Sequence, residues 1–239
     1  MRHLSRTLAG LSLLVISSAC TLTPTSTTPH LAQTAYHRDI PRSILVLPPL
    51  NETTEMNASA RYLSTISAVL GERGYYVPPI AMVNQMLRDN GLTLPGQMHQ
   101  APLSRLTSVF GVDAVLYVTI QHWGASLGAH QVTFDYRLVE TRGGTEIWRR
   151  SATGRRPINS ESNANINDEN GWALIAKILI HLIIDSAVAE VMDIPLDLVR
   201  ETNARAINSS EDQLLLGPYH PGFHAQQLQL SLPDLPPQD

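Results

Sequence analysis

The fold is organised around the stretch Ser43-Ile44-Leu45-Val46-Leu47-Pro48-Pro49-Leu50-Asn51. Residues 44–47 are a continuous apolar run between prolines, and such a run predicts a strand that is buried on both faces. Strands of this kind lie at the centre of α/β layers, which gives the expected fold class. Pro48 and Pro49 have no N–H group to donate to a neighbouring strand, so we expect pairing to end there.

The residues after this strand alternate between helical and strand patterns. Helical periodicity covers residues 58–72, 81–90 and 103–110, and strand patterns cover residues 75–77, 114–120, 131–140 and 146–153. Asn57 is placed to cap the first helix, and Gly143 and Gly144 predict the turn between the last two strands. Apolar and polar residues alternate over 131–140, as expected of an antiparallel strand with one face in water.

These elements predict an α/β (α+β) fold, with a mixed sheet in a two-layer or three-layer arrangement and helices packed on it. The strand–helix–strand order at the start forms a βαβ half with a right-handed crossover, and the later strands form an antiparallel hairpin half. We expect residues 91–100 to be a loop and residues 154–171 to be a polar excursion. Ile147 should face inward, and strand alternation would place Trp148 on the other face.

A long apolar helix pattern covers residues 172–192. Lys177, His181 and Asp185 are spaced four apart and form a polar stripe, so we interpret this segment as a core helix lying across the sheet rather than as a membrane span. A face for self-association is the alternative, because the apolar surface of this helix is wide.

The chain after this helix becomes rich in proline. A further helix is predicted from Pro195 to Ala206, and residues 207–239 are predicted to be a mostly extended tail. Alternatively, Leu214-Leu215-Leu216 and Tyr219 fold back and cover the apolar helix.

The first residues have the pattern of a bacterial export signal. Two arginines precede a short apolar run, which is followed by Ser17-Ser18-Ala19 and then by Cys20. This order resembles a lipobox, in which lipid is attached to the cysteine, although Ser17 stands where Leu, Val or Ile is usual. The same small residues fit ordinary secretory cleavage, which stays open as an alternative. Thr21, rather than an aspartate, follows the cysteine, and this favours the outer membrane.

We therefore divide the chain into a signal peptide (residues 1–19), a lipidated flexible tether (20–38), a single mixed α/β domain (39–206) and a Pro-rich C-terminal tail (207–239). The tether is rich in Thr and Pro and has few large apolar residues, so it cannot form a core. At roughly 3.1 Å per extended residue it spans about 50 Å.

The composition argues against several classes of function. The 239 residues carry a formal net charge of −4 without a basic block, which argues against nucleic acid as the main partner. Cys20 is the only cysteine, so the chain can form neither an intramolecular disulfide nor a zinc site built on several thiolates. Two prolines follow the first strand where a phosphate-binding loop would need glycines. We predict no cofactor.

Two patterns resemble reactive sites. Gly124-Ala125-Ser126-Leu127-Gly128 matches the nucleophile elbow of hydrolases, but that elbow needs a helix after the serine, and here a strand pattern follows. A hairpin loop uses the same residue types, so we favour a hairpin. His220 and His224 are four apart, but the Pro-Gly pair between them prevents the helix that a metal site of this spacing requires. We predict no catalytic and no metal-binding residues.

Four motifs occur in order and together resemble one family. They are Ser43-Ile44-Leu45-Val46-Leu47-Pro48-Pro49-Leu50-Asn51-Glu52, Gly74-Tyr75-Tyr76-Val77, Asn90-Gly91-Leu92 and Phe110-Gly111-Val112-Asp113-Ala114-Val115-Leu116-Tyr117. The chain resembles, over about residues 41–206, a lipoprotein family of unknown function typified by a neisserial surface antigen. Proteins of this family are similar to the N-terminal domain of the Tol-system propeller protein and to the curli secretion channel lipoprotein. Family genes tend to neighbour a gene for a curli-channel-like lipoprotein, so the resemblance implies a role in envelope export or transport, without catalytic residues.

We therefore predict a non-enzymatic lipoprotein, anchored through Cys20 in the outer membrane of a Gram-negative cell and facing the periplasm. It would act as a subunit of an envelope transport or secretion assembly. Its expected partners are the membrane, through the N-terminal lipid, and either further copies of the chain, forming a homo-oligomer, or sister envelope lipoproteins. A serine hydrolase using Ser126 and a periplasmic module that binds a small ligand are the alternatives.

Overall fold

The computed structural model describes residues 40–158, 193–209 and 213–231. The predicted signal peptide, the whole of the predicted tether and the apolar helix predicted over residues 172–192 lie outside the described residues. Cys20 therefore lies outside them as well.

Five strands form one mixed sheet: β1 (Ile44–Val46), β2 (Leu50–Asn51), β3 (Ala114–Ser126), β4 (Ala129–Glu140) and β5 (Glu146–Pro157). The strand order is β1-β3-β4-β5, and β2 also lies beside β3. The two short strands run parallel to β3, whereas β3, β4 and β5 are antiparallel. The predicted mixed sheet is thus confirmed, although the strand expected over residues 75–77 is reduced to a single parallel bridge between Tyr76 and Ser43.

β1 is buried on both faces, as its apolar run predicts. Ile44 and Val46 belong to the core on one side of the sheet, and Leu45 and Leu47 belong to the core on the other side. The two prolines interrupt the pairing with β3 but do not end it. The chain pairs with β3 again at β2, and the N–H of Glu52 then donates to the carbonyl of Ile120 at 3.0 Å.

Six helices are described: α1 (Ala58–Glu72), α2 (Ile80–Asp89), α3 (Pro95–His99), α4 (Leu103–Phe110), α5 (Leu196–Asn208) and α6 (Phe223–Ser231). α1 and α5 contribute to the larger core on one face of the sheet, and α2, α3 and α4 contribute to a smaller core on the other. The described part of the chain is therefore a three-layer arrangement.

Two expectations about local helix structure are wrong. Asn57 is the residue before α1, but its side chain makes no capping hydrogen bond. Residues 91–100, expected to be a loop, contain α3. Pro95 opens this helix with a preset backbone angle, and the Gln97 side chain accepts a hydrogen bond from the Leu94 N–H at 3.2 Å, which completes its first turn.

β5 differs from its prediction at both ends. A register shift opposite Leu138 and Val139 leaves Ile147 as an extra residue, which is a β-bulge. Because of the bulge, Ile147 and Trp148 both contribute to the larger core instead of facing opposite sides. The strand also continues to Pro157, so residues 154–157 are part of the sheet and not of a polar excursion.

The C-terminal segment (residues 213–231) packs on the domain. Leu214 and Leu215 are buried in the larger core, and residues 223–231 form α6. The prediction of a mostly extended tail is therefore wrong for residues 223–231. Gly217 crosses the chain at Gly74 so closely that a Cβ on Gly217 would lie 2.1 Å from the Gly74 carbonyl oxygen.

Candidate functional site

Ser126 lies at a hairpin and not at a nucleophile elbow. It pairs with Ala129 across a two-residue turn, in which Leu127 and Gly128 have φ angles of 50° and 69°. Two positive φ angles are typical of the type I′ turn that joins antiparallel strands. His130 pairs with Ala125, so His130 and Ser126 belong to neighbouring cross-strand pairs, whose side chains point to opposite faces of the sheet. The predicted hairpin is confirmed, and the geometry needed for a serine nucleophile is absent from this loop.

The two C-terminal histidines do not face a shared ligand. The N–H of Gly222 donates to Nδ1 of His220 at 3.0 Å, and His224 lies in α6 with its ring 5.6 Å from that of Phe223. Within residues 40–158, 193–209 and 213–231, no group of three His, Cys, Asp or Glu side chains is arranged to hold a metal ion.

One cluster of titratable side chains joins α3 to the sheet. Nε2 of His99 donates to the carbonyl oxygen of Pro48 at 2.9 Å, and the ring of His99 lies 5.3 Å from that of Tyr117. Arg137 is the cross-strand partner of Tyr117, and its guanidinium lies over the Tyr117 ring, 4.2 Å from the ring centre. Burial lowers the pKa of His99 and raises the pKa of Tyr117. Because these groups contact one another and a backbone carbonyl, they hold the helix on the sheet.

A second feature of the sheet is the outer edge of β5. Among the described residues only β4 pairs with β5, along the whole of its length. The N–H of Ile158 donates to the carbonyl of Gly128, so these two residues are a hydrogen-bonded pair. This pair determines which residues of β5 bond to β4 and which do not. Hydrogen-bonded pairs alternate with non-bonded pairs in antiparallel strands, so Ser151 and Thr153 direct their backbone groups away from β4. Pro157 falls in the same outward phase, where its missing N–H removes no ladder bond.

A groove of about 590 Å³ runs between this edge and α5. It is lined by residues 150–153 of β5 and by side chains between positions 202 and 209. Its apolar lining consists of the small residues Ala152, Ala204 and Ala206, and its charged lining consists of Arg150 and Arg205. We call this feature the β5 groove.

The β5 groove was not predicted from the sequence, although the sequence contains two indications of it. Pro157 follows an arginine pair, and prolines are tolerated in sheets mainly on edge strands. Arginine pairs at positions 149–150 and 155–156 flank a short window of small residues, and charged side chains are common on exposed strand edges. Neither signal shows that a helix lies beside the edge.

Helices long and apolar enough to cross a membrane do not occur in the part of the chain that the structure describes.

The comparisons with known proteins agree on one lipoprotein family. The sequence model of the family described as "Putative lipoprotein GNA1162-like" matches residues 31–219. The Neisseria meningitidis serogroup B (strain MC58) protein named "Putative lipoprotein NMB1124/NMB1162" is 36% identical over 158 residues, which are 64% of this chain and 72% of that protein.

Similar solved structures include the following two. The crystal structure of lipoprotein GNA1162 from Neisseria meningitidis is 34% identical, with a TM-score of 0.46, over 64% of this chain and 100% of that one. The C-terminal domain of LpoB from Escherichia coli is 18% identical, with a TM-score of 0.36, over 52% of this chain and 93% of that one.

Proposed function

Because the chain belongs to the GNA1162-like lipoprotein family, we propose that it is a non-enzymatic, lipid-anchored subunit of a transport or secretion assembly in the cell envelope. The family match over residues 31–219 is the observation that carries this proposal. The match extends over the described core and includes the end of the predicted tether, so it rests on the whole domain and not on one short motif.

We place the anchor at Cys20 and the protein at the periplasmic face of the outer membrane. The support is in the sequence: an export signal, small residues directly before the only cysteine, and Thr21 after it. Acyl chains contribute about 0.8 kcal/mol per buried methylene, so more than one chain on a single residue would hold the protein on the bilayer.

The strand order supports a role as a subunit. The described chain enters the sheet at β1, on one side of β3, whereas β5 forms the edge on the other side, beyond β4. A lipid attached before β1 would therefore join the described sheet on the side away from β5. We propose that the partner is either a further copy of the chain or a sister envelope lipoprotein.

The anchor is tested by two substitutions in the full-length chain expressed in a Gram-negative host. Cys20→Ala should abolish labelling by a palmitate analogue and move the protein from the membrane fraction to the soluble periplasm. Thr21→Asp should keep the label but shift the protein from the outer to the inner membrane. Fractionation on a density gradient measures both effects, and a Cys20→Ala protein that still sediments with membranes would contradict the anchor.

The assembly is tested by chemical crosslinking in intact cells. We expect the wild-type protein in species larger than the monomer that contain envelope proteins, and we expect Ser126→Ala to give the same species. A wild-type protein that is crosslinked only as a monomer would argue against an assembly. Labelling of Ser126 by a fluorophosphonate probe would instead support the hydrolase alternative.

A further inference from the structure

We infer that the domain docks on the surface of the lipid bilayer through the exposed segment Tyr76-Val77-Pro78-Pro79-Ile80-Ala81-Met82. We call residues 76–82 the apolar strip. This inference rests on the proposed function, because it describes how a lipid-anchored domain lies on its membrane. Three properties of the apolar strip support it: its composition and exposure, its backbone, and its position beside the start of the described chain.

The composition of the apolar strip is that of a contact surface. All seven residues are apolar or aromatic, and none of them is buried. Tyr76 is 55% exposed and Met82 is 59% exposed, whereas Val77 and Ile80 pack partly against the larger core and hold the strip on the domain. Single exposed apolar residues are ordinary, but a contiguous apolar patch marks a contact with a protein or a membrane. Residues 74–87 contain no charged side chain, so the strip carries no carboxylate that lipid phosphates would repel.

The backbone of the apolar strip is suited to surroundings with little water. Pro78 and Pro79 have no N–H group, and the N–H of Tyr76 already donates to the carbonyl of Arg42 at 2.9 Å. α2 begins at Ile80 without an acidic residue in its first turn. Moving an unpaired N–H group into apolar surroundings costs free energy, so these features lower the cost of placing the strip among lipid headgroups.

The apolar strip begins beside the point where the described chain starts. Tyr76 forms a parallel bridge with Ser43, three residues after Ile40. The predicted tether, residues 20–38, ends just before this point. A lipid on Cys20 would therefore keep the strip near the bilayer at an effective concentration of about millimolar order, at which a weak apolar contact suffices for docking.

A second exposed tyrosine lies at the same end of the molecule. Tyr219 is 68% exposed, and its N–H donates to the carbonyl of Gly74, two residues before Tyr76, at 3.1 Å. Tyrosine is enriched where membranes meet water, because its ring is apolar and its hydroxyl can stay hydrated. The two tyrosines therefore fit the headgroup region on either side of the Gly74 crossing.

The size of the apolar strip favours a bilayer over a second copy of the chain. A stable protein–protein interface takes about 800 Å² and roughly 20–30 residues from each partner. The strip consists of seven consecutive residues. A bilayer needs no complementary shape, and the tether would already supply most of the cost of association, so a contact of this size is sufficient there.

The test uses the full mature chain, purified with its lipid and reconstituted in vesicles of phosphatidylethanolamine and phosphatidylglycerol. Cys20 is the only cysteine, so Ala81→Cys gives a lipidated chain one free thiol for an environment-sensitive dye in the apolar strip. Leu127→Cys places the same dye in the exposed turn at the other end of β3. We expect nitroxide-labelled lipids to quench the dye at position 81 but not at position 127, because the 13 residues of β3 span about 40 Å.

Substitutions in the Ala81→Cys background locate the contact. Tyr76→Ser together with Met82→Gln should lower the ratio of docked to undocked protein at least about tenfold, and quenching at position 81 should be lost with it. Met56→Gln is the matched control, because Met56 is 91% exposed but lies outside the apolar strip, and it should leave the quenching unchanged. Met82→Gln alone, at an exposed helix position, should reduce the quenching in the same direction should the double variant not fold.

Three results would overturn the inference. They are equal quenching at positions 81 and 127, quenching at position 81 that the double variant retains, and a blue shift of that dye that grows with protein concentration without quenching by lipid. The last result would assign the apolar strip to a second copy of the chain.

The dye also separates this inference from the proposed anchor. One dye per chain, flotation with the vesicles and no quenching at position 81 would reject docking and leave the anchor at Cys20 intact. Two dyes per chain would show that the Cys20 thiol is free, which would reject the anchor and, because docking depends on the tether, the inference with it.

Discussion

At the scale of single residues, two buried tyrosines show what a hydroxyl contributes to this core. Tyr136 donates to Oδ1 of Asn203 at 2.6 Å, and the side-chain amide of Asn203 donates to Thr65 at 2.9 Å. Tyr62 lies in the same core, but its hydroxyl has no hydrogen-bond partner among the residues that the structure describes. Burial raises the pKa of both hydroxyls well above the ordinary value, so both stay protonated at physiological pH.

This difference predicts different effects of the same substitution on the free energy of unfolding. Tyr136→Phe should lower the free energy of unfolding by about 1–3 kcal/mol, because it leaves the buried oxygen of Asn203 without a donor. Tyr62→Phe should be neutral or stabilising, because it removes a buried polar group that has no partner in the described part of the chain. Chemical denaturation of the two variants measures both values. Equal losses from the two variants would contradict the role assigned to the Tyr136–Asn203 bond.

At the scale of secondary-structure elements, the contact between α5 and β5 depends on one glycine. A Cβ at Gly154 would lie 1.9 Å from Oγ1 of Thr202 in α5. At Gly124 in β3 a Cβ would meet no atom within 4 Å. The helix thus lies directly on the β5 backbone, and this close packing forms one wall of the β5 groove.

The two glycines provide a matched pair of variants. Gly154→Ala should destabilise the protein by about 1–3 kcal/mol, the usual cost of overpacking a core. Gly124→Ala should be neutral or stabilising by up to about 1 kcal/mol, because alanine reduces the conformational freedom of the unfolded chain. Adding Thr202→Ala to Gly154→Ala should recover part of the loss. Thermal unfolding compares the three, and an undisturbed Gly154→Ala protein would show that α5 can shift away from the sheet.

The elements that the sequence predicts well are those with a regular period. Alternation over residues 131–140 places Val132, Phe134, Tyr136 and Leu138 inward, and all four are buried. The bulge at Ile147 was not predictable in this way, because an extra residue breaks the period on which the prediction rests. The β5 groove could not be predicted either, since it forms between segments about fifty positions apart. Cys20 is proposed as the anchor from the residues directly around it, so this proposal does not depend on the structure.

At the scale of the whole molecule, the C-terminal segment is part of the folded unit. Its backbone crosses the end of α1, where the N–H of Gly217 donates to the carbonyl of Arg73 at 2.9 Å. The hydroxyl of Tyr75 donates to the carbonyl of Leu215 at 2.7 Å, and the side chain of Arg73 donates to the carbonyl of Leu214. We therefore propose that the domain boundary lies beyond residue 206, after the segment that carries these contacts.

Truncation tests this boundary. A chain that ends after Ser209 loses Leu214 and Leu215 from the core, and each buried leucine contributes about 1.5–3 kcal/mol. It also removes the carbonyl of Leu215, to which the Tyr75 hydroxyl donates in the folded protein. We expect this variant to unfold at a lower denaturant concentration, to bind a hydrophobic dye and to aggregate at micromolar concentration. A chain that ends after Ser231 should match the full-length protein, because every described contact of the segment is retained. If both truncated chains are as stable as the full chain, the segment is not a structural part of the domain, and the core near Tyr75 must be closed by other residues.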